Sequence, residues 1–381
     1  MSGGTNSEQP HLDIVVVGGG IIGCTTAYYL THHPSFSPTT TSVTLIEASV
    51  NGVAQGASGK AGGLVAKWAY PNELVKVSFR EHVRLAREHG GEERWGWRYV
   101  GVGNWQGRAR RETAAGGGRP KSLQKTRNTN GNWRRHEKGL PDDLLWVDED
   151  LADEYSPMAP EGATAQVHPY LFTTSMLTLA QSKGLQFITG QVISIERSRG
   201  RVTGVVYTSI GADGVEQTTT IPATRVVLAG GAWSPALVPD FSITGLRAHS
   251  ITIHPPSNSV IAPYALFTSI TMPRSRKAVT PEIYARPGPE KEVYVCGPGD
   301  ESPLPASVDD VVLDPAACEA LREQVSGISK ELREGTVMAR QACFMPLVTQ
   351  GGGPIIGEAN MVAEGLVLAI GHTCWVSYSS R

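Results

Sequence analysis

Three features of the first fifty residues predict an α/β fold: an apolar run, a glycine-rich turn directly behind it, and a second apolar run that ends in an acid. Ile14 to Val17 is continuous and β-branched, the pattern of a strand buried on both faces of a parallel sheet. Gly18, Gly20 and Gly23 follow with the spacing G-x-G-x-x-G, and Ile21 to Thr31 reads as a helix. Ser35 to Ser42, rich in Ser, Thr and Pro, must be a loop, after which Val43 to Ile46 forms a second buried strand ending at Glu47. Together these make one β-α-β unit, the opening of a Rossmann-type dinucleotide-binding fold.

Each position of that unit has a chemical use. Gly18 permits the tight turn, Gly20 lets the backbone approach a pyrophosphate, and Gly23 allows the helix to pack closely on the strand. Ile21 and Ile22 open the helix, whose first N–H groups lack partners and carry positive potential toward phosphate. Glu47, followed by Ala48, is placed to accept hydrogen bonds from an adenosine ribose. A glycine turn can also serve packing alone, and the fingerprint fits NAD and FAD equally. A carboxylate at Glu47 disfavours the 2'-phosphate of NADP.

Further along, Leu74 to His89 has helical spacing, and Gly90 with Gly91 supplies a stop. Arg98 to Lys138 is Gly-rich and basic with little apolar periodicity, so the sequence predicts a solvated, disordered insertion there. Tyr170 to Lys183 reads as a helix. Gln186 to Glu196, Arg201 to Thr208 and Val215 to Ile221 read as strands, and Val226 to Ala229 as a short apolar one. A helix from Pro315 to Val325 and a last buried strand from Leu366 to Ile370 complete the pattern.

Composition narrows the function. With 381 residues, two interleaved domains and an ample core are expected, and 40% apolar with 18% charged residues fits a globular protein rather than a fibre or a disordered chain. A net charge of -2 gives no global attraction to nucleic acid, so no nucleic-acid partner is expected. No apolar run approaches the ~20 residues that a bilayer span needs. Five scattered cysteines lack the paired spacings of metal sites or disulfide frameworks, so no metal is expected, and a reducing, cytoplasmic setting fits them.

Beyond Glu47, the segment Gly56-Ala57-Ser58-Gly59-Lys60-Ala61-Gly62-Gly63-Leu64 resembles the second flavin-contacting loop of the D-amino-acid-oxidase-like family of oxidoreductases. Gly230, Gly231 and Trp233, in Val-Leu-Ala-Gly-Gly-Ala-Trp-Ser, resemble the family's later strand-turn motif, and Gly371-His372 its C-terminal flavin loop. Val192 matches the position whose backbone contacts adenine. The resemblance implies FAD as cofactor, a small amine or amino-acid-like substrate, and hydride transfer from a C–H beside nitrogen to the flavin. It also implies a Rossmann-type FAD-binding domain (1–94, 165–245, 346–381) interleaved with a largely antiparallel β-sheet cover domain (95–164, 246–345). Ala-Ser-Gly-Lys-Ala-Gly-Gly and Gly-His-Thr-Cys-Trp are similar to a fungal subgroup with a member implicated in endosome-to-Golgi retrograde transport. That similarity implies endosomal trafficking partners and an endosome-associated fraction, with an FAD-binding scaffold that does not turn over as the alternative to an enzyme.

Within this frame Lys60 and His372 are the catalytic candidates. The Lys60 ammonium would stabilise reduced flavin or assist oxygen, and His372 would lie against the isoalloxazine; the plainer roles are a phosphate contact and a loop brace. Two departures from the family stand out. Met345 occupies the place where relatives carry an arginine for the substrate carboxylate, and methionine cannot form that bidentate pair. Relatives continue from the Gly-His loop into a further helix, where this chain reads Val376 to Arg381, so an inactive, shortened form is a third expectation. Arg340, five positions before Met345 on one strand, should face the opposite way. Trp68, Trp95 and Trp97 are candidates for core or pocket roof, Cys374 for a buried thiol, and Asp142 to Asp150 for a solvated acidic run.

Overall fold

Leu12–Val17 is a strand whose last four residues are all buried, because it is flanked on both sides in parallel: by Thr41–Glu47 and by Arg225–Leu228. The structure, a computed structural model, describes residues 11–110, 135–211, 213–273, 277–288, 291–349 and 351–373. Gln186–Thr189 extends the sheet beyond Thr41–Glu47, and Leu366–Ile370 extends it beyond Arg225–Leu228. An antiparallel edge strand, Ile355–Glu358, finishes it. Helix Ile21–Thr31 crosses between the first two strands, and Pro169–Gln181 packs beside it, their contact including Cys24, Ala27, Phe172 and Met176 of one core. This is the α/β layer that the β-α-β reading predicts.

Gln186 to Glu196, read as one strand, is two. Gly190 breaks it: a Cβ there would stand 2.7 Å from Tyr207 Cδ2 and 2.8 Å from Thr208 O. The chain leaves the parallel sheet at Thr189, and Gln191–Ser198 starts an antiparallel three-stranded meander with Arg201–Ile210 and Glu216–Pro222. Ile195, Val202, Val205 and Tyr207 of the meander close over Val15, Val17 and Leu228.

The second layer is a sheet of eight strands among the described residues. Its path runs Thr336–Val348, Ile243–His254, Val293–Cys296, Glu282–Ala285, Tyr264–Thr271, Gly101–Arg108, Ala152–Pro157, with Ala278–Val279 paired to Tyr264–Thr271. All pairings are antiparallel except Tyr264–Thr271 with Gly101–Arg108. Helix Pro315–Ser326 covers one face, packing Cys318, Leu321 and Val325 against Ile251, Ile253, Ile283, Val293 and Val295. The other face looks toward the parallel sheet. Among the described residues no helix is long and apolar enough to cross a membrane.

The expectation of disorder over Arg98 to Lys138 is corrected for its ends. Arg98–Tyr99 and Gly101–Arg108 are strands, and Trp105 is fully buried. The glycines that read as loop residues make room for neighbours: a Cβ on Gly103 would meet Tyr155 Cζ at 2.3 Å, and one on Gly107 would meet Leu151 O at 2.3 Å. Arg135 is buried, pairing with Glu149 at 2.9 Å and donating to Leu144 O at 2.7 Å. Residues 111–134 lie outside the described residues. The acidic run is solvated as expected: Asp142, Asp143 and Asp150 are exposed, and Asp148 and Glu149 are half-buried. Asp148 pairs with Arg110 at 2.7 Å, Asp143 accepts from the Tyr264 hydroxyl at 2.6 Å, and no group of described residues could hold a metal ion.

Candidate active site

The glycine turn behaves as its spacing demands. Gly18 has φ +106°, and a Cβ there would lie 2.5 Å from Ala229 O. On Gly23 a Cβ would lie 1.8 Å from Gly18 O, so helix and strand touch backbone to backbone. Gly20 differs: a Cβ there meets only Ser58 Oγ, at 3.0 Å, and otherwise opens into a cavity of about 930 Å³. Glu47 accepts from the backbone N–H of Gly19 and, at 2.9 Å, from that of Ser49. Burial pushes its carboxyl above the usual range, and those two donors oppose the shift. Ala48 and Val192 line the same end of the cavity.

The segment from Ser58 to Gly63 is held from outside and open on its inner side. Ser58 Oγ accepts from Ile21 N at 2.8 Å, a cap on the helix supplied by a distant loop. Gly59 is packed rather than open, since its Cβ would lie 2.0 Å from Ala54 O. Four successive carbonyls are then engaged: Lys60 O by the Tyr294 hydroxyl (2.9 Å), Ala61 O by Arg286 (2.8 Å), Gly62 O by Gln166 (3.1 Å) and Gly63 O by Val167 N (2.9 Å). Among the described residues, the N–H groups of Ala61, Gly62 and Gly63 have no such partner, and these three residues line the cavity. Donors without acceptors on a cavity wall suit a ligand that carries acceptors. Lys60 donates through Nζ to Ala342 O at 3.1 Å, and burial holds its ammonium below the usual lysine range.

Gly230, Gly231 and Trp233 form the facing wall, with Trp233 Nε1 donating to Pro305 O at 2.8 Å. Gly371 (φ +72°) brings the end of strand Leu366–Ile370 against Val348, leaving no space for a side chain. His372 follows on the cavity wall, and burial pushes its imidazole down to about 4, so it is neutral near pH 7. The second sheet closes the cavity with Glu282, Tyr284, Tyr294, Cys296, Cys343 and Met345.

The FAD dependent oxidoreductase family, DAO, matches residues 13–378. The chain belongs to that family. This oxidoreductase is 31% identical to TDA3 of Saccharomyces cerevisiae, a protein named as an oxidoreductase, across 95% of this chain and 88% of TDA3. Among solved structures it is similar to iminodiacetate oxidase from Chelativorans sp. (TM-score 0.66, 19% identity, covering 95% of this chain and 90% of that one). Glycine oxidase from Bacillus cereus gives a TM-score of 0.65 at 18% identity, again covering 95% and 90%. At these identities the structural likeness speaks to the fold.

The cofactor of the oxidoreductase is FAD, and the chain has the features to hold it. Gly20 leaves space at the helix N-terminus, where a pyrophosphate gains from the first-turn N–H groups. The open N–H row of Ala61 to Gly63 faces the same space from the other side. Of the residues singled out from the sequence, Gly18, Gly20, Ile21, Ile22, Glu47, Ala48, Ser58, Lys60, Ala61, Gly62, Gly63, Leu64, Val192, Gly230, Gly231, Trp233, Gly371 and His372 all line one cavity. Gly23 and Gly59 do not, and their contribution is close packing.

Several side chains of the oxidoreductase escaped sequence reading. Glu282, Tyr284, Tyr294 and Cys296 line the cavity from two neighbouring strands, with Glu282 opposite Cys296 and Tyr284 opposite Tyr294. Their signal was there in Glu-Ile-Tyr-Ala and Val-Tyr-Val-Cys, where polar or aromatic residues alternate with aliphatic ones at period two. Leu74, Ser78 and His82 of helix Asn72–His89 also reach the cavity. The tryptophans do not roof it. Trp95 and Trp97 are core, and Trp68 donates to Thr164 Oγ1 at 2.8 Å beside a smaller apolar cluster. Arg340 lies 3.7 Å from Glu319 of the covering helix while Met345 faces the cavity, as their opposite parity predicts. Cys374 and Val376 to Arg381 lie outside the described residues.

Proposed function

We propose that this oxidoreductase oxidises a C–N bond of a small amine or amino-acid-like molecule, with the substrate held between the loop Lys60 to Gly63 and the inner face of the second sheet. The observation that carries this reading is a single cavity that takes in the glycine turn, that loop and the side chains of Glu282, Tyr284 and Met345. FAD, when bound, supplies the hydride acceptor. Around it the chain orients and excludes water. Gly20, Ile21 and Ile22 would receive the pyrophosphate, Glu47 and Val192 the adenosine, and the Ala61 to Gly63 N–H groups the flavin edge. Lys60 would set positive charge beside the ring, and His372, lowered by burial, would brace it as a neutral imidazole. That glycine oxidase and iminodiacetate oxidase share the fold supports a small nitrogen-containing substrate.

Met345 favours a second reading, in which FAD is structural and the protein serves as a scaffold with endosomal trafficking partners. Among the described residues no arginine lines the cavity, so the guanidinium that relatives offer a carboxylate is missing there. Anaerobic incubation of the FAD-loaded protein with a panel of primary and secondary amines separates the two. Bleaching of the oxidised flavin spectrum by an amine supports the enzyme; a spectrum reduced by dithionite and by no amine supports the scaffold.

A further inference from the structure

Glu282 is the carboxylate of the second sheet's inner face, and its surroundings are built rather than incidental. It sits on strand Glu282–Ala285 between Phe267 on one neighbouring strand and Cys296 on the other. The Tyr284 hydroxyl and the Cys296 thiol, the latter at 3.8 Å, both donate to its Oε2. Tyr284 in turn packs against Gly62, where a Cβ would lie 2.8 Å from the ring, so the carboxylate is tied through Tyr284 to the flavin-contacting loop. These donors are neutral. Burial pushes the Glu282 carboxyl up, and among the described residues no cation joins Tyr284 and Cys296 in acting on it.

The cations nearby are engaged elsewhere. Lys60 donates to Ala342 O. Arg286, close behind Glu282 in sequence, pairs with Glu292 at 2.6 Å and donates to Ala61 O, and it does not line the cavity. A buried carboxylate without a counter-charge costs several kcal/mol unless it is neutralised or meets a cation. With Met345 and Phe344 also on the cavity wall, an anionic substrate group placed beside Glu282 would meet apolar surface and a like charge.

We propose that Glu282, held by the Tyr284 hydroxyl, is the substrate anchor of this cavity and receives the ammonium group of an amine that carries no carboxylate. The inference rests on the reading of the cavity as a substrate site for amines. It reverses the polarity of recognition: the protein contributes the anion and the substrate the cation. Tyr284 is the positioning residue, since it fixes which carboxylate oxygen stays open.

The test is calorimetric titration of the oxidised, FAD-loaded protein under anaerobic conditions with n-butylamine, n-butanol and butyrate, for wild type and Glu282→Gln. Gln keeps the shape and the acceptor for Tyr284, and an unchanged FAD content and melting temperature show that the variant is folded. Wild type should bind butylammonium at least tenfold more tightly than butyrate or butanol, and Glu282→Gln should weaken butylammonium tenfold or more while leaving butanol within twofold. Butyrate binding as tightly as butylammonium, no measurable butylammonium binding, or an unchanged affinity in Glu282→Gln would each overturn the proposal. Failure of the oxidase reading is distinguishable: Glu282-dependent ammonium binding without flavin reduction by any amine leaves the anchor standing and removes the turnover.

Discussion

Ser58 Oγ accepts the backbone N–H of Ile21 at 2.8 Å, so a loop 37 residues away caps the first turn of the helix that follows the glycine turn. The contact joins two cavity-lining segments that the sequence shows only as separate motifs. Removing a hydroxyl that caps a helix costs about 0.5–2 kcal/mol. Ser58→Ala should therefore weaken FAD binding by roughly two- to thirtyfold. Quenching of FAD fluorescence on titration into apoprotein measures it, and an unchanged affinity would show that the cap matters to the loop alone.

Gly20 and Gly23 should fail in opposite ways. Gly20 has φ -72° and ψ 179°, which any residue adopts, and its Cβ position opens to the cavity. Gly20→Val should keep the apoprotein's melting temperature and lose FAD, seen as a colourless protein. Gly23→Ala places a methyl 1.8 Å from Gly18 O, and overpacking of this kind costs about 1–3 kcal/mol. Its melting temperature should fall whether or not FAD is present.

Lys60 separates charge from structure. Its ammonium donates to Ala342 O, and burial leaves it easier to deprotonate than a surface lysine. Lys60→Met should retain FAD and slow reoxidation of the reduced flavin by oxygen roughly tenfold or more, since one preorganised charge at a reacting centre has effects of that order. Stopped-flow absorbance at several oxygen concentrations gives the rate. Equal rates in the two proteins would make Lys60 a brace for the loop.

Acid should destabilise the fold through its buried histidines. Burial lowers His82, His168 and His372 each to about 4, against an ordinary value of 6.5. Below about 6.5 the unfolded chain binds protons that the folded one refuses, so stability is full above that pH and is lost as the pH falls toward 4. Thermal melts from pH 7.5 to 4.5 should show this acid limb. His82 lies 4.8 Å from the Phe172 ring, and its buried Nδ1 has no hydrogen-bond partner among the described residues, so His82→Phe should make the limb shallower without lowering the melting temperature at neutral pH.

Much of the nucleotide end was legible because its determinants are local. Strand, turn, helix and acid lie within Leu12 to Glu47; Gly23 answers to Gly18 in that stretch and Gly18 to Ala229 at the end of the strand beside it. Period two likewise predicted that Arg340 and Met345 part company on one strand. The Gly101–Arg108 strand was hidden because its glycines are explained by Tyr155 and Leu151, residues that composition cannot place beside them.

What the sequence alone determined is the β-α-β unit and its glycine turn, specified by residues a few positions apart. The tertiary structure alone decided the cavity wall that the second sheet supplies. Tyr294 reaches Lys60 O across 234 positions, and Glu282, Tyr284 and Cys296 share a face through the register of two neighbouring strands. Register depends on which strands meet and how they slide before the sheet closes, and a one-residue slip would turn Glu282 away from the cavity. Local spacing carries no information about that choice; it follows from burial of the aliphatic partners Ile283, Val293 and Val295 on the opposite face.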